Sequence, residues 1–313
     1  MHAFAIDQLG EAGSLHELAM PAMAADRLLV RVRAAGVNPA DWKLRDGLFG
    51  TPKRPFPIVL GGDFAGVVER VGAQVRDFAP GDRVFGIAPG GSYAEYVSVE
   101  SSAVLAKIPQ RISDAHAAAL PTAGLTALAA VEWLELHASE SLLVVGATGG
   151  VGGYAVQIAK ARGVHVIAVA RSSNELAARE LGAAEIVAYD LVDVVAAVHA
   201  KHPGGVDAVV DVVSDDSALK RMAGVLRCPG GRLASTIFAA DETWFSEHGL
   251  RAANIATQQT PQWSRSGLED LARLTERKAL RVHIAAEVPL ADAALALERS
   301  KTGRVTGKIV LTI

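Results

Sequence analysis

The sequence predicts an α/β protein in which a doubly wound parallel sheet follows a β-rich segment spanning residues 1–110. Three observations carry this. First, the apolar run Leu142-Leu-Val-Val breaks into Gly146-Ala-Thr-Gly149-Gly150-Val-Gly152-Gly153, then resumes with Val151, Ala155, Ile158 and Ala159 on one helical face. A strand, a glycine turn and a helix in that order form the context in which a glycine motif is informative. Second, strand-like and helix-like stretches alternate as far as residue 260, the pattern of βαβ units and a parallel sheet. Third, the preceding segment is all short alternating runs joined by Gly and Pro, as in a small irregular barrel.

Taken in order, 28–34 and 93–99 alternate apolar and polar residues, 65–71 reads as a further strand, and Pro80-Gly81-Asp82 is a turn before 83–85. Residues 113–136 become Ala/Leu-rich and helical, suiting a connection between domains. After the glycine turn and its helix, 164–170 is a strand. Ser172-Ser-Asn-Glu175 has capping-box spacing and opens a helix that stops near Gly182. Strands at 185–189, 206–213 and 232–237 alternate with helices at 192–201 and 217–227, and a sixth strand falls at 250–257. Beyond Pro261, helix, strand, helix and strand at 268–278, 280–287, 290–300 and 308–313 are too few to bury a core alone. This tail is therefore expected to fold back onto the first segment. The expected domains are 1–122, 123–260 and the returning 261–313.

Composition narrows the function. Half of the 313 residues are hydrophobic and the net charge is -3, which argues against nucleic acid or an anionic membrane as the main partner. The apolar stretch around 117–131 is cut by Pro121 and Gly124, and the first residues have neither the basic nor the apolar region of a signal peptide. A cytoplasmic enzyme with a small-molecule substrate is the expectation. The single Cys228 excludes a disulfide framework and a multi-Cys zinc site, and the nine histidines show no ligand spacing, so no metal is expected.

The glycine turn is read as a dinucleotide site in which Gly146, Thr148, Gly149, Gly150 and Val151 face a diphosphate. The turn permits close backbone approach and the helix N-terminus offers unpaired N–H groups. An NAD site usually has an acid at the end of the second strand. Here that strand ends Ala170-Arg171-Ser172-Ser173, with no acid from Ala161 to Asn174. Arg171 and the Ser172 hydroxyl suit a 2′-phosphate, so NADPH is favoured over NADH. The alternative for Arg171 is a solvated charge at a strand end.

Several motifs in sequence then fit one family. They are Gly36-Val-Asn-Pro-Ala-Asp-Trp42, Gly61-Gly-Asp-Phe-Ala-Gly-Val-Val-Glu-Arg-Val-Gly72, Gly81-Asp-Arg-Val-Phe-Gly86, Leu120-Pro-Thr-Ala-Gly-Leu-Thr126, the Gly146 turn, Pro229-Gly-Gly-Arg232 and Gly307-Lys-Ile-Val-Leu311. Across its whole length the chain resembles the zinc-independent quinone oxidoreductase (zeta-crystallin-like) branch of the medium-chain dehydrogenase/reductase superfamily. The resemblance implies a GroES-like substrate domain, a Rossmann cofactor domain, a cleft between them and a homodimer joined through the Rossmann sheet edge. It implies an NADPH-dependent reductase of quinones or α,β-unsaturated carbonyls. In the zinc alcohol dehydrogenases of similar fold, a Cys and a His occupy the positions of Asn38 and Gly62. Without a metal to polarise the oxygen, alcohol oxidation is disfavoured, whereas a quinone or enone is already electrophilic.

The same resemblance assigns residues. Asn38 lies at the active-site floor, where its amide would bind a substrate carbonyl; the alternative is a turn asparagine before Pro39. Asp41 is expected to order the following helix start, and Asp63 to hold backbone N–H groups. Thr126 resembles a nicotinamide contact, or is a helix hydroxyl bonded to its own preceding turn. Tyr189 resembles a tyrosine over the 2′-phosphate or adenine, or is a strand-end aromatic. Lys308 either reaches the phosphates or is a surface charge. Phe49 stands where relatives often carry Tyr, leaving solvent as the proton source. Cys228 is read as structural. Asp241, Glu242, Trp244 and Phe245 are placed in a loop overhanging the nicotinamide. Rival functions are an enoyl-thioester reductase and an NADPH-binding protein without turnover.

Overall fold

The structure is a computed structural model and describes residues 1–313. The chain runs through β1 (His2–Ile6), β2 (Ser14–Glu17), β3 (Arg27–Val37), α1 (Pro39–Arg45), β4 (Ile58–Val59), β5 (Asp63–Val71), β6 (Arg83–Ile87), β7 (Tyr96–Glu100) and β8 (Leu105–Lys107). Helices α2 (Asp114–Ala118) and α3 (Pro121–Trp133) follow. Next come β9 (Ser141–Val145), α4 (Gly150–Ala161), β10 (His165–Ala170), α5 (Glu175–Leu181), β11 (Glu185–Ala188), α6 (Val194–Lys201), β12 (Ala208–Asp211), α7 (Asp216–Met222), β13 (Arg232–Ser235), α8 (Glu242–Glu247) and β14 (Arg251–Asn254). The chain closes with α9 (Arg265–Glu276), β15 (Ile284–Pro289), α10 (Ala293–Lys301) and β16 (Lys308–Thr312).

Two compact units result. One comprises Met1–Ala123, Ser264–Glu276 and Val282–Ile313; the other comprises Gly124–Trp263 and Arg277–Arg281. The first unit is the β-rich one. Its larger sheet has the order β15-β16-β3-β5-β6-β8, with β7 also on β3, and its smaller sheet the order β2-β1-β4. Strand β3 is long enough to serve three partners, β5 along one edge and β7 then β16 along the other, with two register shifts against β5. Phe64, Val84, Val97 and Leu105 fill one core of this unit, and Phe4, Ile58, Tyr93, Leu297 and Leu311 fill another. Strand β16 pairs antiparallel with β3, matching Ile309 to Val37 and Thr312 to Ala34. That register brings Lys308 beside Asn38.

The second unit holds a six-stranded parallel sheet in the order β11-β10-β9-β12-β13-β14. The order reverses on either side of β9, so the loop leaving β9 opens at the switch point, where such sheets bind ligands. Leu143, Val145, Ile167 and Val209 on one face and Leu142, Val144, Val166 and Val210 on the other are all buried, as in strands covered on both faces. No helix is long and apolar enough to cross a membrane.

Candidate active site

The loop leaving β9 has the geometry that diphosphate recognition needs. Gly146 takes φ +80°, a left-handed conformation that suits glycine, and a Cβ there would meet Val212 at 2.7 Å. A Cβ on Gly152 would stand 2.2 Å from the Gly146 carbonyl oxygen, so α4 rests directly on the turn. Gly149 caps α4 without a side chain, and the first turn of the helix contains no acid. The N–H groups at its start therefore present an unscreened positive end. Thr148 is buried beside this turn and accepts from Asn174 Nδ2 at 3.3 Å; Val151 and Gly150 are half-buried at the helix start. The bare backbone fits a diphosphate, and any side chain at Gly152 would collide with the turn.

At the end of β10, Arg171 Nε donates to the Tyr189 hydroxyl at 2.9 Å, with the guanidinium 5.9 Å from that ring's centre. Both residues are exposed at this edge, so a cation and an aromatic face lie together where a ribose phosphate would end. The expected capping box at Ser172 does not form. The Ser172 N–H and hydroxyl both donate to Asp190, each at 2.8 Å, and α5 begins at Glu175 after a short 3-10 turn. The sequence around β10 contains no acid, but the fold brings one from beyond β11. Those two hydrogen bonds, with Arg171 nearby, hold the Asp190 carboxyl below its ordinary range. Ser172 is therefore shared with a carboxylate rather than free for a phosphate. Thr126, on α3, accepts from the Thr257 hydroxyl at 3.2 Å within the same unit.

A buried polar cluster lies in the β-rich unit. Asn38 donates from its amide to Asp63 at 2.8 Å and accepts from Lys308 Nζ at 2.5 Å; the same ammonium donates to the Val37 carbonyl at 2.8 Å. Asp63 also accepts from the Thr122 backbone N–H and hydroxyl. The Asn38 N–H and the Tyr93 hydroxyl both donate to one oxygen of Asp41, at 2.7 and 2.8 Å. One cation thus serves two carboxylates. Asp63, with donors on both oxygens, is the better-served carboxylate. Burial raises Asp41 to about 7, against the lowering hydrogen bonds of Asn38 and Tyr93. Burial also raises Asp63 and lowers Lys308.

This arrangement overturns the surface-charge alternative for Lys308. Lys308 is 5% exposed and its ammonium donates to Asn38 and Val37, so it is not a surface charge. Asn38 is 4% exposed, and its amide joins Asp63 to Lys308. Asp41 reaches back to the N–H at the start of α1, and Asp63 is a buried acceptor. Neither Asn38 nor Gly62 supplies a thiolate or imidazole, so this donor set does not fit a catalytic metal.

The segment after β13 also departs from expectation. Asp241 accepts from the Trp244 N–H and caps α8, Phe245 is fully buried, and Trp244 packs edge-on against Phe245 and stacks on His248. These residues form a helix and its core contacts, not an overhanging loop. The exposed apolar residues of the segment between β13 and α8 are Ile237 and Phe238, the latter at φ +63°, unusual for a bulky side chain. No motif marked Phe238. Phe49 is exposed in the β-rich unit, and Cys228 is exposed with its thiol 3.5 Å from the His248 carbonyl.

Residues 24–110 match the family described as alcohol dehydrogenase GroES-like domain, and residues 181–311 the family described as zinc-binding dehydrogenase. A chloroplastic quinone-oxidoreductase homolog of Spinacia oleracea is 32% identical over 94% of this chain and 92% of its own. The chloroplastic NADPH-dependent alkenal/one oxidoreductase of Arabidopsis thaliana is 35% identical over 70% of this chain and 61% of its own. The crystal structure of Escherichia coli quinone oxidoreductase complexed with NADPH superimposes with a TM-score of 0.88, at 25% identity over the full length of both chains. The β-rich unit is thus GroES-like and the parallel-sheet unit Rossmann-type, and the chain belongs to the quinone oxidoreductase branch of the medium-chain dehydrogenase/reductase superfamily of oxidoreductases.

Proposed function

We propose that the protein is an NADPH-dependent reductase of quinones or α,β-unsaturated carbonyls that works without a catalytic metal. One observation carries the reading: a glycine turn that only bare backbone can form, in a chain with no metal donors at Asn38 and Gly62. The relatives are named for quinone reduction and for NADPH-dependent alkenal/one reduction, which supports the same substrate classes. The cofactor, when bound, supplies a hydride.

The roles of the chain's own residues follow. Gly146, Gly149, Gly150 and Gly152 bring backbone to the diphosphate, with Thr148 and Val151 beside them. Arg171 and Tyr189 meet the 2′-phosphate, where Asp190 tempers the charge. Thr126, tied to Thr257, contacts the nicotinamide end. Asn38, Asp41, Asp63 and Lys308 stiffen the junction of β3 and α1 as positioning residues. Ile237 and Phe238 offer an apolar surface to a flat acceptor. Solvent supplies the proton, because Phe49 has none to give. The reading also takes the protein as cytoplasmic and as a homodimer, and sedimentation velocity tests the dimer.

The direct test is NADPH consumption, followed by loss of the near-ultraviolet absorbance, with a benzoquinone and a simple enone in parallel and NADH as control. Rapid loss with either acceptor, faster with NADPH than NADH, is expected. Tight NADPH binding without turnover of any quinone, enone or enoyl-thioester would overturn the reductase reading and leave only a cofactor-binding protein.

A further inference from the structure

The parallel sheet carries a second cluster, at the opposite ends of its strands from the glycine turn. His165 is the first residue of β10, Glu185 the first of β11, and His202 ends α6. Strand pairing sets Glu185 beside Ile167, two residues on from His165. Alternation therefore puts His165 and Glu185 on one face of the sheet, and His202 joins them there. Both imidazoles aim Nε2 at the same carboxylate oxygen of Glu185, at 2.7 and 3.0 Å. The three ligand-capable atoms all lie within 4.8 Å of one another. Lys201 holds the other oxygen of Glu185 at 3.3 Å.

We propose that His165, Glu185 and His202 bind a transition-metal dication of the Zn2+ type, with water at the fourth position. Two imidazoles and one carboxylate are a sufficient donor set for zinc at bond lengths of about 2.0–2.2 Å. The two imidazole–carboxylate hydrogen bonds give way to metal bonds as the rings present lone pairs. Lys201 remains on the outer oxygen, orienting Glu185 as an outer-shell partner does. The His165 side chain is 44% exposed, which leaves a path from solvent. The ion ties together the starts of β10 and β11 and the end of α6, so its effect falls on the stability of this unit and not on hydride transfer.

The test titrates Zn2+ into the chelator-treated full chain, by calorimetry and by thermal unfolding, alongside His165→Gln, Glu185→Gln and His202→Gln. Each glutamine keeps a hydrogen-bonding amide but is a poor metal ligand. One Zn2+ per chain is expected, with a melting midpoint that climbs with zinc concentration, and at least tenfold weaker binding in every variant. Absence of a zinc-dependent shift in the wild-type protein would overturn the site. So would binding that persists unchanged in the variants, which would place the ion on other histidines or on Cys228. Should a variant lose its fold, Co2+ added to the wild-type protein decides: intense tetrahedral bands support the site, and the spectrum of the aqueous ion refutes it.

Discussion

Asp41→Asn isolates the buried cluster. In the native protein Lys308 faces both Asp41 and Asp63, and Asp63 is the better served with donors, so Asp41 is the carboxyl that holds a proton as pH rises. Its raised value means that between the ordinary carboxylate range and neutrality the folded chain binds a proton the unfolded chain has released. Stability therefore declines as pH rises through this window, from 3.8 to about 7, and levels off above it. A displacement of roughly 3 pH units corresponds to about 4 kcal/mol at most. Asparagine cannot ionise, yet its oxygen still accepts from the Asn38 N–H and Tyr93 hydroxyl. The variant should match the wild type below the ordinary carboxylate range, where both states hold the proton, and exceed it increasingly toward pH 8, approaching about 4 kcal/mol. Urea unfolding followed by tryptophan fluorescence, at half-unit pH steps on both proteins, gives the difference directly, and groups common to both cancel. A flat difference would refute the argument. A variant that loses ground as pH rises would show that Asp41 is ionised and paired with Lys308.

Other expectations are tested more simply. Gly152→Val places a side chain where a Cβ already stands 2.2 Å from the Gly146 oxygen, and should abolish NADPH binding in a fluorescence titration. Arg171→Ala should weaken NADPH about tenfold or more while changing NADH little if, as proposed, the guanidinium meets only the 2′-phosphate; equal losses for both cofactors would remove Arg171 from that role. Asp190→Asn should tighten NADPH and not NADH, since it removes a negative charge and one of the two acceptors that hold Ser172, and a titration with both cofactors reads the ratio. Lys308→Met strips the buried cation from Asp63 and should cost about 3–5 kcal/mol in urea unfolding, less when combined with Asp41→Asn.

The features legible in the sequence are those whose parts are neighbours along it. The run from Leu142 to Lys160 shows strand, turn and helix because each acts over adjacent residues, and the repeated alternation gives the parallel sheet. The buried cluster is different in kind. Asn38 meets Asp63 across 25 residues and Lys308 across 270, through the register of β16 on β3, which no local pattern encodes. Asp190 reaches Ser172 for a similar reason, and the polar spacing at Ser172 looks like a cap until that carboxylate takes both its donors. His165 and His202 show no ligand spacing because a strand and a helix deliver them separately. Trp244 and Phe245 suggested a loop because the helix holding them has only six residues, and Asp241 rather than a hydrophobic period starts it.

The pairing of β16 with β3 also dictates an order of events during synthesis. The parallel-sheet unit is nearly complete once Trp263 has emerged, whereas residues 34–37 of β3, beyond the stretch that β7 covers, still lack a partner on one edge. At ribosomal rates of about 5–20 residues per second, the interval between Asn38 and Lys308 is roughly 15–50 s. Throughout it the apolar segment Ala34, Ala35 and Val37 has an unpaired backbone edge, the kind of surface that recruits foreign strands. The nascent first unit is thus a natural client for a chaperone, and loss of the few residues of β16 would leave it in that exposed state permanently.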